Sequence, residues 1–311
     1  MNWLDEYYRQ TLNGALKDVS LSLQAFFRRI KNKERQFGFP RFKGKEFRNT
    51  FRYYVLFKIN ELYIIIPGIG SIKYFKNRLP IGKLKQLHVK KEDNHWYATV
   101  TFIETIEISM VAPTTDGMIG IDLGLSKFAY LSDGSYIDNP KYYKKDMDKL
   151  RYLSRQVSKK KKGSKNRYKA RQKLAKWHRK IYNKRNDFLH KMSYDIVKYH
   201  DAIAMETLNI SGMMKNRYLS RSIADASWHS FVKYLKYKSD WVGKTFVQID
   251  QFTPSSKLCS QCGTLQEMPL KKRIYDCIHC HAIMDRDHNA AQNIKAAGLS
   301  VLKACGAVDV G

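Results

Sequence analysis

Acidic residues are scarce in this 311-residue chain: 28 Asp and Glu stand against 57 Lys and Arg, for a net charge of +29. Such an excess repels itself in a compact state and argues for a polyanionic partner. The basic residues interleave with Tyr, Trp and Phe throughout, which argues against a basic membrane-surface protein. Cysteine is also scarce. Five are too few for a disulfide-dense secreted scaffold and, in a reducing compartment, read as metal ligands plus one left over. Long hydrophobic runs are missing: stretches such as "LYIIIPGIG" (62–70) are too short to span a bilayer, so no membrane association is expected. The opening "MNWLDEYYRQ" has neither a basic n-region nor an apolar h-region, so no signal peptide is expected and the place of action reads as cytoplasmic and nucleoid-associated. No internal repeat is present. A hydrophobic content of 43% nevertheless suffices for a folded core, in one large domain or two to three smaller ones.

Local patterning divides the chain. Leu12, Leu16, Val19, Leu23, Phe26, Phe27 and Ile30 recur at helical spacing within residues 1–36, and "FGFPRFKGK" (37–45) ends that pattern. From Phe47 to Val111 five or so short β-branched and aromatic runs predict a small β-barrel, with a boundary at 112–117. Thereafter strands and helices alternate, which predicts an α/β domain. "MIGIDLG" is a strand, "SDGS" a hairpin turn, and "AIAME" a buried strand ending at Glu206. Of two intervening helices the second is long, with Leu174, His178, Ile181, Phe188, Met192, Ile196 and Tyr199 on one stripe. Residues 213–222 read as a polar connector, 224–241 as a helix, "KTFVQID" as a strand, and about 288–299 as the closing helix.

Three features carry chemistry. Cys259-x-x-Cys262 and Cys277-x-x-Cys280 are two knuckles at tetrahedral zinc spacing, with Gly263 suited to the first turn. Four thiolates close the coordination shell, so one structural Zn²⁺ is expected; Cys305 is left over. Secondly, Asp122 and Glu206 end apolar strands, and Asp287 opens the last helix. Each has an ordinary reading as turn residue, ion-pair partner or N-cap. Together they fit a site that converges three carboxylates on Mg²⁺, with two ions able to activate water at a phosphodiester. "IDLG" also opens the sugar-kinase and actin-like ATPases, but the glycine-rich phosphate loops those need are missing. Thirdly, residues 141–185 hold 20 Lys or Arg and two acids, Asp146 and Asp148. That bias is too one-sided for an ion-paired helix face. It predicts a phosphate-tracking surface through Lys159, Lys160, Lys161, Lys162, Lys165, Arg167 and Arg171, with Tyr168 and Trp177 available for stacking.

The segments "GIDLGLSKFAYLSDG", "AMETLNI", "SSKLCSQCG", "DCIHC" and "DRDHNAAQNI" occur in the order found in the TnpB (OrfB-type) family of transposon-encoded RNA-guided nucleases, relatives of the type V CRISPR effectors, and "FPRFKGK" and "IPGIGSIKY" resemble the region ahead of the nuclease. The resemblance implies a helical remnant of the recognition domain (1–44), a wedge-like β-barrel (45–116), a RuvC-like nuclease of RNase H fold (117–253 and 284–305), a zinc-ribbon insertion (254–283) and a tail (306–311). It implies Asp122, Glu206 and Asp287 as the catalytic acids, Asp287 being preferred to Asp285 because it directly precedes His288-Asn289-Ala290. It further implies a guide RNA, a target DNA, and strand contact by Lys271, Lys272 and Arg273 of the inserted loop. Members usually begin with a further strand and helices, so the chain reads as shortened at its N-terminus, with an incomplete barrel edge. Two other readings are an RNA-guided DNA binder of weak or absent activity and an unguided RuvC-type recombinase.

Overall fold

The structure is a computed structural model that describes residues 9–34, 38–41, 50–54, 56–75, 79–92, 95–269 and 271–306. Expectations for residues 1–8, 42–49, 270 and 307–311 lie outside the described residues. The chain forms two compact units that divide between Glu107 and Ile108. Residues just after the division belong to the second unit because the Val111 amide donates to the Gly243 carbonyl at 2.9 Å.

In the first unit, helix α1 (Arg9–Lys31) packs on strand β1 (Thr50–Tyr53), helped by an Arg52–Asp18 ion pair. The expected apolar stripe splits. Leu12, Leu23 and Phe26 are half-buried, whereas Leu16, Val19, Phe27 and Ile30 are exposed, because one strand is narrower than the stripe. The expected barrel is replaced, among the described residues, by two three-stranded antiparallel sheets. One has the order β1–β5–β6, with β5 Lys83–Glu92 and β6 His95–Ile103. The other is the meander β2–β3–β4 (Lys58–Ile59, Tyr63–Ile66, Gly70–Lys73). A barrel needs an unbroken hydrogen-bonded ring, and β2 is only two residues long. Tyr53, Phe57, Ile64, Ile66, Leu87 and Val89 from both sheets make one core.

The second unit is the expected α/β fold. Strands β7 (Met118–Leu123), β8 (Lys127–Leu131) and β9 (Tyr136–Asp138) form an antiparallel meander. Helices α2 (Tyr142–Ser158) and α3 (Lys165–Tyr199) form a hairpin that returns the chain to β10 (Ala202–Glu206), parallel to β7. Short helices α4 (Ile210–Met213) and α5 (Ser220–Ala226) take only the two ends of the segment expected to be a polar connector, which between them, at 214–219, is turns. Helix α6 (Trp228–Trp241) is separated from α5 by Ser227 at φ 54°, so the single helix expected over 224–241 is two. Strand β11 (Thr245–Ile249) completes the order β11–β10–β7–β8–β9. Two short strands, β12 (Ile274–Asp276) and β13 (Ile283–Asp285), and the final helix α7 (Arg286–Ala304) follow.

Side chains alternate across the sheet with a period of two. Ile119, Ile121, Ile203 and Met205 face a core shared with Leu189, Ile196, Phe231 and Leu235 of α3 and α6. Each such burial is worth about 1.5–3 kcal/mol. Met118, Ala202 and Ala204 face the other way, into a core with Ile294 and Leu302 of α7. The α3 stripe departs from expectation at its ends: Tyr199 is exposed and Leu189, Ser193 and Val197 are buried.

Candidate active site and metal centre

The same alternation points Asp122 and Glu206 toward the α7 face, one step beyond Gly120 and Ala204. The parallel register pairs Met205 with Ile121, and its next step sets Glu206 beside Asp122, with strands about 4.8 Å apart. Glycine lets α7 close on this face. A Cβ at Gly120 would collide with the Ala291 carbonyl and the Lys295 amide, and one at Gly298 with Ala204 and Met118. That close approach brings the first turn of α7, and with it Asp287, to the strand ends.

The three predicted acids therefore meet. Burial is the main force raising the Asp122 carboxyl, and the charges of Asp287 and Glu206 add to it, so that its pKa rises from 3.8 to about 8 despite the opposing Arg286. Burial also raises Glu206. The helix cap is Asp285, whose Oδ1 accepts from the amides of Asp287 at 2.8 Å and His288 at 3.2 Å. Asp287 is thus released from capping. Arg286 Nε and Nη2 both reach Asp287 Oδ1, at 3.0 and 2.8 Å, while Arg273 Nη1 stands 3.5 Å from Oδ2.

The four predicted cysteines also meet. Their sulfurs lie within 4.8 Å of one another, with Cys259–Cys280 at 3.7 Å and Cys262–Cys277 at 3.6 Å. A tetrahedron of thiolates at the Zn–S bond length of about 2.3 Å needs sulfurs about 3.8 Å apart, so the cluster fits that ion. The Thr264 hydroxyl, 3.3 Å from Cys262 Sγ, and the Thr264 backbone pull that thiol down to about 5, which favours the thiolate a metal needs. Tyr275, fully buried with Cys259, Cys277 and Met268, forms the small core of this module.

Composition and spacing left out the residues that join the two centres. Asn289 is fully buried and bridges to the module: its Oδ1 accepts from Ser260 N at 2.9 Å and its Nδ2 donates to Leu258 O at 2.7 Å. Asn293 Nδ2 donates to Ser255 O at 2.7 Å and Leu258 O at 2.6 Å, and Gln292 Oε1 lies 2.6 Å from Ser260 Oγ. Their i, i+3, i+4 spacing in "NAAQN" is the signal that would have found them, since it sets polar side chains on one helix face.

The basic positions divide by what they touch. Lys159, Lys160, Lys161, Lys162, Lys165 and Arg171 are exposed on or near the tip of the α2–α3 hairpin. Arg167 folds back instead, donating to Lys160 O at 3.0 Å and Val157 O at 3.3 Å. Trp177 lies between Lys149 and Lys180, at 5.9 and 4.6 Å from its ring, and Tyr168 is exposed. Lys271 and Lys272 are exposed on the module, whereas Arg273 leans toward Asp287. No helix among the described residues is long and apolar enough to cross a membrane.

Known proteins resemble this chain in sequence and in fold. A family model described as probable transposase matches residues 100–217, and one described as Cas12f1-like, TNB domain, matches residues 228–294. InsQ of Escherichia coli strain K12, provisionally named an RNA-guided DNA endonuclease, is 32% identical over 98% of this chain and 78% of its own length. A Streptomyces pristinaespiralis protein with the same provisional name is 43% identical over 68% of this chain. The chain spans about half (52%) of that relative's length. The TnpB-like protein L770 of Acanthamoeba polyphaga mimivirus is 30% identical over 78% of this chain and 50% of its own. The fold matches Cas12f1, solved by cryo-EM as a complex with sgRNA and target DNA, at a TM-score of 0.56 and 14% identity over 89% of this chain and 70% of that one. These matches place the chain in the TnpB (OrfB-type) family, to which it belongs.

Proposed function

We propose that the chain is a transposon-associated, RNA-guided DNA endonuclease whose second unit is a RuvC-like nuclease of RNase H fold. The observation that carries the reading is the convergence of Asp122, Glu206 and Asp287 on one face and one end of the sheet. Family membership and the names of the relatives support the guide RNA and the target DNA as partners. The first unit, with its two small sheets and α1, takes the wedge-like and recognition roles.

The hard oxygen donors of the three acids suit Mg²⁺. Asp122, Glu206 and Asp287 would hold two ions, which supply an activated water and stabilise the leaving oxygen of a phosphodiester. The residues do the rest. The buried Asp122 resists ionisation at neutral pH until a cation approaches. Arg286 fixes Asp287 through Oδ1 and leaves Oδ2 turned away from it. One Zn²⁺ on the four cysteines orders the module that Asn289 and Asn293 hold against α7. The hairpin lysines track phosphates, and Lys271 and Lys272 meet the DNA strand.

The test sequences RNA that copurifies with the chain and then presents a matching plasmid with Mg²⁺. Asp122→Ala, Glu206→Gln and Asp287→Ala are each expected to lower cleavage by about 1,000-fold or more, with nucleic-acid affinity kept within about three-fold. Cleavage retained by any of the three shows that residue misassigned, and a plasmid left intact by the parent chain overturns the reading.

A further inference from the structure

A concavity opens at the same end of the sheet as the acids, on the side of α2 and α5. It has a volume of about 410 Å³ and is walled by the loop after β7, the residue after β9, the start of α2, and α5 with the residues before it. Its polar lining includes Lys141, Lys144, Arg221, Tyr143 and Tyr218. β7, β9 and β10 run in the same direction, so this cleft and the acids share one end of the sheet. Its wall at Leu125 begins three residues after Asp122, within roughly 11 Å of chain.

The cleft is built by a buried bracket. Asp225, with its side chain 10% exposed, accepts from the Tyr143 amide at 3.1 and 3.0 Å and pairs with Arg185 at 3.6 Å. This fixes α2 against α5 and uses up the acid that lines the cleft. Among the described residues, Lys141, Lys144 and Arg221 have no ion pair with an acidic side chain. Tyr218 is 79% exposed, with the Arg217 guanidinium 5.2 Å from its ring centre and donating to its hydroxyl at 3.2 Å, so the ring already takes a flat cation against it and still presents most of its surface to solvent. The volume falls in the range of small-molecule sites, about 300–1,000 Å³, and one nucleotide is of that size.

We propose that this cleft holds one unpaired nucleotide of the DNA strand entering the acid site, its base against Tyr218 and its phosphate between Lys144 and Arg221. The proposal rests on the nuclease reading and adds a strand-holding subsite to it. Bases stack on aromatic rings whatever their sequence, and phosphates seek cations. A paired base has no free face for Tyr218, so the cleft selects unpaired strand next to the scissile phosphate.

The probe is a five-nucleotide DNA with a central 2-aminopurine, whose fluorescence falls when it stacks, titrated with the full zinc-loaded chain in buffer without Mg²⁺. The parent and Tyr218→Phe are expected to quench it. Tyr218→Ala is expected to lose the quench, and Lys144→Ala with Arg221→Ala to weaken the quenching transition about ten-fold. Lys160→Ala with Lys161→Ala, at the hairpin tip, should change overall binding but keep the quench. The same base paired inside a DNA hairpin stem should show none. Quenching by Tyr218→Ala equal to the parent, or equal quenching of the paired base, overturns the proposal. Because no Mg²⁺ is present, the quench is read independently of whether Asp122, Glu206 and Asp287 cleave.

Discussion

The cysteine cluster and the acid cluster both depend on the first two turns of α7, yet they are assembled in opposite ways. All four sulfurs come from residues 259–280, a local stretch whose own core is only Cys259, Cys277, Met268 and Tyr275 with Ala282 and Met284 partly buried against it. The carboxylates come from positions 122, 206 and 287 and are placed by strand register and a glycine-lined contact with α7. With so small a core of its own, the first cluster would depend on an ion in order to fold, on the reading proposed above. The second is imposed by a scaffold that folds regardless, and like charges are held together at a cost. On the proposed reading, the difference is one between a metal that would make structure and a structure that would wait for a metal.

The largest test of that contrast removes a sulfur. Cys259→Ser or Cys277→Ser should drop zinc from about one ion per chain to near none by elemental analysis, since structural zinc sites contribute on the order of 10 kcal/mol to local folding. Hydrogen exchange should quicken through residues 255–285 while β7, β10 and α3 stay protected. Uniform loss of protection would show the module and the sheet to be one cooperative unit. Next in size, Gly120→Val should push α7 off the sheet, cost about 3 kcal/mol or more, and lower the melting temperature by roughly 6–12 °C with zinc still bound. Smaller again, Asn293→Ala leaves the carbonyls of Ser255 and Leu258 with one donor fewer and should cost about 1–3 kcal/mol. Its signature is retained zinc with faster exchange in the module, and unchanged exchange would remove the asparagines from the joint.

The smallest effect is a gain. The native pKa of Asp122, about 8, lies above its ordinary 3.8, so the folded state holds a proton that the unfolded state has lost. Stability therefore falls as pH rises from about 4 to about 8. In metal-free protein, Asp122→Asn should raise the melting temperature by a few degrees at pH 7.5 and by almost nothing near pH 4. Added Mg²⁺ should stabilise the parent and leave this variant unmoved. A variant less stable than the parent at every pH would mean that the acids are not in electrostatic conflict.

The same contrast explains what could be read before the structure was known. Cys259, Cys262, Cys277 and Cys280 announce themselves by spacing because their geometry is local. Asp122 and Glu206 are visible as charges at the ends of apolar strands, and the alternation in "MIGID" and "AIAME" sets the face they share. Gly120, Gly298 and Asp225 carry no such signal, since their roles depend on contacts with residues 40 or more positions away in chain. The barrel expected of the first unit is not seen among the described residues, since strand patterning reports which residues pair with some neighbour, and not whether the ring closes. Ser227 broke the expected 224–241 helix by its backbone angle alone, in a segment whose apolar spacing continues on both sides.

Helix α3 has a mechanical consequence. It runs 35 residues, about 52 Å, and its first buried residue is Ile181. Roughly 24 Å of rod thus stands between the lysine-bearing tip and the first point where the core grips it. The other end feeds through His200 and Asp201 directly into β10, which ends at Glu206. Measured from a fulcrum at Ile181, the other arm of the helix is about 27 Å, slightly longer than the free one, and it is joined to the strand that carries the second acid. A rotation of one degree moves a point 24 Å from the fulcrum by about 0.4 Å, so small tilts that the core barely resists become visible travel at the tip.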